Sequence, residues 1–178
     1  SWSCPHGVSR WAESCDCTPG ADWKAPLREV LTQIAEWVDQ SYLDVTAPIF
    51  QDPWELRNEY IRVINKQITL EGLCEQLAGE HWNPAMLPGI DKILKSQFER
   101  QRMFTSCGFF FDEFHRIEPQ NNISYAAKAV WLITEATGFD ISPAIIDALK
   151  EIRSKKTCLR ADTIFSQTLL RANTEKPD

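Results

Sequence analysis

The chain has 178 residues and a formal net charge of −6, with 43% hydrophobic and 25% charged residues. This composition is typical of one globular domain, and the acidic balance argues against nucleic-acid binding, which requires a basic surface. Because the sequence has no apolar run of about 18 residues and no secretory leader, we expect a cytoplasmic protein without a membrane partner. The first residue is not Met, so we also expect the chain to be part of a longer protein.

The first 17 residues, SWSCPHGVSRWAESCDC, contain three of the six cysteines and one of the three histidines. Three thiolates and an imidazole are a standard zinc ligand set, so the candidate ligands for one zinc ion are Cys4, His6, Cys15 and Cys17. The C-x-H and C-x-C spacings are less common in zinc sites than C-x₂-C. Two alternatives therefore stay open: thiols that pack as small apolar groups, or a disulfide, which a reducing compartment disfavours.

From residue 23 onward, hydrophobic residues recur at the spacing of amphipathic helices. The predicted helices cover 26–42, 53–65, 70–79, 90–108, 120–137, a segment beginning at 142, and 162–171. Asp52 followed by Pro53 is a strong helix start, because the carboxylate caps the first turn and proline lacks only an unneeded N–H. No strand pattern or internal repeat is present. We predict an all-α fold of six or seven helices over 23–172, with a non-regular segment 1–22 packed on the bundle and a frayed tail at 173–178.

A second unusual stretch, MFTSCGFFFDEF, covers residues 103–114 and places three aromatic residues before the adjacent carboxylates Asp112 and Glu113. Aromatic rings beside carboxylates are a common construction of sugar sites, because rings cover the C–H face and carboxylates accept hydroxyl groups. The alternative is that the phenylalanines are core residues and the two acids form a solvated turn. The remaining histidines, His81 and His115, are expected to be surface or satisfied histidines, and the cysteines Cys74 and Cys158 are expected to be packing residues within helices.

The chain contains no glycine-rich phosphate loop, no G-x-S-x-G and no H-E-x-x-H sequence, and no nucleophile and base can be paired. We therefore expect that this chain is not catalytic by itself.

Five segments in order, SWSCPHGVSRWAESCDC, WKAPLREVL, DPWELRNEYI, RMFTSCGFFFDEF and IEPQNNISYAAKA, together resemble domain of unknown function 3536. That family forms the C-terminal region of proteins whose N-terminal half is similar to a glycoside hydrolase family 57 catalytic domain. The resemblance implies a helical accessory domain that packs on this catalytic barrel and helps to form an α-glucan cleft. The two catalytic carboxylates of such a retaining enzyme belong to the barrel.

Two signatures carry the resemblance, one within residues 1–17 and one within residues 105–112. Our candidates for residues that face the substrate are Trp2, Arg10, Trp11, Cys107, Phe110, Asp112 and Glu113. We expect the two signatures to meet in space and to face the barrel, which would be the partner of this chain and its link to α-glucan. Cys107 is then an additional candidate thiol for the zinc site, while Phe109 departs from the family pattern, which favours Trp. A metal-binding domain or an interaction module is the alternative function.

Overall fold

The computed structural model describes residues 5–18 and 20–174, and within them the chain is all-α, as predicted. The helices are α1 Ser9–Ala12, α2 Lys24–Thr46, α3 Pro53–Ile64, α4 Leu70–Ala78, α5 Leu87–Arg102, α6 Cys107–Phe110, α7 Ile117–Thr137, α8 Ser142–Leu149 and α9 Ala161–Thr174. Seven of these nine have eight or more residues. No helix among the described residues has the length and apolar character needed to cross a membrane.

The core lies between α2, α5 and α7, which pack against one another. Helix α9 packs against α7. Each of the three central helices contributes an inward stripe of residues with almost no exposed surface. Examples are Leu27, Ile34 and Tyr42 of α2, Ile93 and Leu94 of α5, and Ala126, Val130 and Ile133 of α7. A stripe of this kind is what the helical spacing predicts.

Several predicted helix boundaries agree with the structure, and the reasons are local. Asp52 caps α3, since its carboxylate accepts hydrogen bonds from the backbone N–H groups of Trp54 (2.9 Å) and Glu55 (3.2 Å). Gly138 ends α7 in the left-handed conformation, with φ of +76°. Such a conformation is readily adopted by glycine after a helix.

The prediction for 90–108 as one helix was wrong at both ends. Helix α5 begins at Leu87, with Pro88 in its first turn, where the missing N–H of proline costs nothing. It ends at Arg102, and residues 107–110 form the separate short helix α6. The chain therefore turns between α5 and α6, and α6 packs on α7.

Gly108 allows α6 to approach α7 closely. Asn122 of α7 is buried, accepts a hydrogen bond from the Thr105 hydroxyl (2.7 Å) and donates one to the Thr105 carbonyl (3.1 Å). A Cβ atom on Gly108 would overlap the Asn122 amide. The glycine thus leaves room for the side chain that fixes the turn before α6.

Candidate functional site

Three side chains of the N-terminal segment converge on one point. The Nδ1 atom of His6 lies 3.2 Å from the Sγ atom of Cys15 and 3.3 Å from the Sγ atom of Cys17. Potential metal-ligand atoms of the three residues all lie within 4.8 Å of one another. His6 and Cys17 are exposed and Cys15 is half-buried, so an ion reaches the cluster directly from solvent.

A turn at residues 15–18 brings the two thiols to the same side. The buried Thr18 holds this turn, because its hydroxyl accepts a hydrogen bond from the Cys15 N–H (3.3 Å) and donates one to the Cys15 carbonyl (3.1 Å). The backbone N–H of Thr18 also donates to the Cys15 carbonyl at 2.7 Å. On the other side of α1, Gly7 adopts a φ of +76°, a conformation that favours glycine, and lets the chain reverse beside His6.

The chemistry of this cluster fits a thiophilic cation. A ring nitrogen has one lone pair or one N–H in the ring plane, so it forms one good hydrogen bond, whereas here two sulfurs lie equally near the same atom. Tetrahedral zinc with bonds of about 2.3 Å to sulfur and 2.0 Å to nitrogen holds its ligand atoms roughly 3.5 Å apart. The observed separations are within a few tenths of an ångström of that value.

The second signature lies against the first through an ion pair. Arg10 of α1 donates to Oδ2 of Asp112 at 3.1 Å, and Lys24 of α2 lies 3.4 Å from Oδ1. Lys24 has no exposed surface and also donates to the Arg10 carbonyl at 2.7 Å. Both carboxylate oxygens of Asp112 are therefore engaged by cations, and this residue joins α1, α2 and the 105–112 signature.

Aromatic residues reinforce this junction. Trp11 meets Phe110 edge-on, with ring centroids 5.1 Å apart, and the indole N–H of Trp23 donates to the Asp112 carbonyl at 2.9 Å. Phe109 is buried and stacks on Trp23 at 6.3 Å. Position 109 is therefore a core position, where phenylalanine provides apolar packing.

Burial lowers the pKa of Lys24 below its usual 10.5, although the carboxylate of Asp112 acts in the opposite direction. Burial also lowers the pKa of Arg28, whose guanidinium lies 4.1 Å from the ring centre of Phe109 and donates to the Trp11 carbonyl at 2.9 Å. The sequence reasoning missed both residues. Their i, i+4 spacing on the inward side of α2, next to Leu27, was the signal that could have identified them.

A groove of about 660 Å³ lies beside this junction. We call it the 111–116 groove, and its lining is Gly20, residues 111–116, Ser154, Lys155 and Lys156. Glu113 forms an ion pair with Lys156 and lies 3.8 Å from Nε2 of His115. Hydrogen bonding from Lys156 and the positive charges of Lys156, His115 and Arg116 lower the pKa of Glu113.

The structure thus groups most of the predicted site residues and separates one of them. Arg10, Trp11, Phe110 and Asp112 form the junction, and Glu113 lies in the adjoining groove. Cys107 is an exposed thiol at the start of α6 and is not one of the described residues that converge with His6. Trp2 and Cys4 lie outside the described residues.

A family model described as domain of unknown function (DUF3536) matches residues 21–176. The match includes α8 and α9, which the sequence resemblance did not cover, and begins after the cluster of His6, Cys15 and Cys17. Searches of curated proteins and of solved structures gave no match.

Proposed function

Since the chain belongs to the family described as domain of unknown function DUF3536, we propose its function from the site: it is a metal-binding helical domain. One zinc ion binds to His6, Cys15 and Cys17 and holds the N-terminal segment on the bundle. The observation that carries this proposal is the convergence of two thiol sulfurs on one imidazole nitrogen, at 3.2 and 3.3 Å.

Structural zinc sites have four protein ligands, whereas catalytic zinc sites have three protein ligands and one exchangeable position. Cys4, which lies outside the described residues, is two positions from His6 and is our candidate for the fourth ligand. With three thiolates and a neutral imidazole, the occupied site carries one negative charge in total.

The role of the ion is mechanical. His6 and Cys15 flank α1 in sequence, so an ion that bridges them closes a loop around this single helical turn. An isolated four-residue helix is unstable in water, and closing the loop holds Arg10 and Trp11 where they meet Asp112 and Phe110. Metal binding is then part of the folding free energy of this segment.

Elemental analysis tests the proposal directly. Chain purified without added metal should contain about one zinc per molecule, and Cys15→Ser and Cys17→Ser should each release it. Cys107→Ser and Cys158→Ser are matched controls, because both remove an exposed thiol elsewhere, and both should retain the metal. Native chain without stoichiometric zinc, or variants at 15 and 17 that keep it, would contradict the proposal.

A second candidate function rests on the surface around the junction. We propose that the chain is an accessory domain that packs, in the cytoplasm, on a glycoside hydrolase family 57-like catalytic barrel of the same parent. In this role it helps to form the α-glucan cleft and is not catalytic by itself. Val8 directly precedes α1 and Ile117 directly follows Arg116, and these apolar residues are 74% and 63% exposed. These two residues, next in sequence to α1 and to the groove-lining Arg116, are our candidate contacts for the docking surface.

Binding of the separately produced catalytic half to this chain tests the second candidate. Val8→Asp and Ile117→Asp should weaken the complex by about tenfold or more, because a carboxylate at an apolar contact loses its hydration. Leu170→Asp is the matched control, since Leu170 is 65% exposed on α9. Equal weakening by all three variants, or no complex with the native chain, would contradict docking through this surface.

A further inference from the structure

The 111–116 groove is lined by more positively charged side chains than negatively charged ones. Arg116, Lys155 and Lys156 line it, together with His115, against the carboxylates Asp112 and Glu113. Asp112 is neutralised from the junction side by Arg10 and Lys24. Among the carboxylates that line the groove, Glu113 is then the one left to oppose three cations, and Asp22 and Glu118 outside the lining also contact Lys155 and Arg116.

The two lysines form exposed ion pairs, whereas Arg116 pairs with the half-buried Glu118. Lys155 contacts Asp22, with side chains 69% and 55% exposed, and Arg116 contacts Glu118, with side chains 41% and 22% exposed. Lys156, which is 67% exposed, contacts Glu113. Exposed ion pairs contribute little free energy, so an anion that contacts both lysines replaces their partners at small cost. Arg116 donates from Nε and Nη2 to the two carboxylate oxygens of Glu118, at 3.2 Å each, and keeps this partner.

The Arg116 side chain and the backbone that carries the two lysines are held by their surroundings. The Arg116 guanidinium lies 3.8 Å from the ring centre of Phe111, whose ring packs edge-on against Phe110 at 5.0 Å. On the other side of the groove, the buried Ser154 hydroxyl accepts the backbone N–H groups of Lys156 and Thr157 at 3.2 Å. The planar guanidinium and the two lysines thus face one space from two ordered segments.

We infer that the 111–116 groove binds a small molecule through its phosphate group. Glu118 engages one edge of the Arg116 guanidinium, and the other edge, formed by Nη1 and Nη2, presents paired N–H donors that match two phosphate oxygens. The two ammonium groups supply the remaining charge. The volume of about 660 Å³ suits a small organic molecule, and Phe111 offers an apolar wall for the part that carries the phosphate. On binding, the phosphate replaces Glu113 as the partner of Lys156.

Titration of the full chain with inorganic phosphate, glucose 6-phosphate and glucose tests this inference, with affinity measured by calorimetry. We expect saturable binding of both phosphates below about 10 mM and none of glucose. A tighter response to the ester shows that Phe111 contributes, and an equal response shows that the phosphate group alone is recognised; either result supports the site. No saturation by either phosphate overturns it.

Variants separate a defined site from general attraction of anions. Arg116→Gln and Lys156→Gln should each weaken phosphate about tenfold, whereas Glu113→Gln should strengthen it severalfold by removing the competing carboxylate. Lys150→Gln is the matched control, because Lys150 is a half-exposed lysine paired with Asp147 outside the groove. The affinity of this variant for phosphate should equal that of the native chain. Equal weakening by Lys150→Gln, or weakening by Glu113→Gln, overturns the inference.

Unchanged zinc content in all four variants shows that the metal cluster is intact, so failure of this site is distinguishable from failure of the zinc proposal.

Discussion

The ammonium of Lys24, which has no exposed surface, lies 3.4 Å from the carboxylate of Asp112, 88 positions later in the chain. This ion pair links the start of α2 to the end of the 105–112 signature, and Arg10 joins it from α1. A buried ammonium needs such partners, because its removal from water costs several kcal/mol. The junction is therefore the point at which the N-terminal segment is energetically coupled to the bundle.

We predict that Asp112→Ala destabilises the chain by about 2–3 kcal/mol, because it leaves the buried Lys24 ammonium without its counter-charge. Lys24→Met should cost less, since the partly exposed carboxylate keeps Arg10 as its partner. Chemical denaturation measures both values. Asp147→Ala is the control, because its side chain is 76% exposed, and it should have almost no effect. Equal losses for Asp112→Ala and Asp147→Ala would show that the junction does not contribute to stability.

The lowered pKa of Lys24 predicts a pH dependence of stability. Because burial lowers this pKa from 10.5, the folded chain releases the proton at a lower pH than the unfolded chain. Between the two pKa values the unfolded state binds more protons, so the free energy of unfolding rises with pH. The native chain should therefore gain stability relative to Lys24→Met as the pH rises toward 10.5.

Lys150→Met is the control for that measurement, because hydrogen bonding to Asp147 raises the pKa of Lys150. A raised pKa gives stability that is present below 10.5 and is lost as the pH rises through the folded value. The native chain should thus lose stability relative to Lys150→Met above pH 10.5. The same sign of change for both lysines would refute the assignment of Lys24 to a desolvated position.

Thiol alkylation should divide the cysteines into three groups. Burial raises the pKa of the Cys74 thiol to about 12, so this residue should stay unmodified at pH 8. The exposed Cys107 and Cys158 should react at once. Cys15 and Cys17 should react only after a chelator removes the metal, and mass spectrometry of peptides identifies each product. Rapid modification of Cys15 and Cys17 without chelator would count against a bound ion.

Gly108→Ala should destabilise the chain by about 1–3 kcal/mol, because the added Cβ displaces the buried Asn122 and its two bonds to Thr105. Gly89→Ala in α5 meets no atom within 4 Å and should stabilise the chain by about 0.5–1 kcal/mol, since alanine favours helix. Thermal unfolding compares the two. A neutral Gly108→Ala would show that α6 and α7 separate easily.

The helices of the core could be predicted from the sequence, because each carries a regular apolar stripe. The start of α3 and the end of α7 were also evident, from Asp52 and Gly138. The break between α5 and α6 could not, because it depends on Asn122, which is distant in sequence and fixes the turn at Thr105. The local pattern from 90 to 108 stays helical and does not contain this information.

The residue types of the candidate site could be predicted from the sequence, but the contacts between these residues only in part. The clustering of cysteine and histidine identified His6, Cys15 and Cys17 as candidates from their types alone. The partners of Asp112 were not evident, because a carboxylate next to Glu113 and three aromatic residues is typical of both a sugar site and a structural ion pair. Only the packing of Lys24 at the start of α2 distinguishes these two roles.

X-ray absorption at the zinc edge of the purified chain tests the central claim, that one zinc ion is held by the N-terminal segment. We predict at least two sulfur neighbours at about 2.3 Å and an imidazole nitrogen at about 2.0 Å. The Cys15→Ser, Cys17→Ser double variant should contain no stoichiometric zinc and should not give this spectrum. A spectrum with only oxygen and nitrogen neighbours, or a native chain with no stoichiometric metal to measure, would contradict the account.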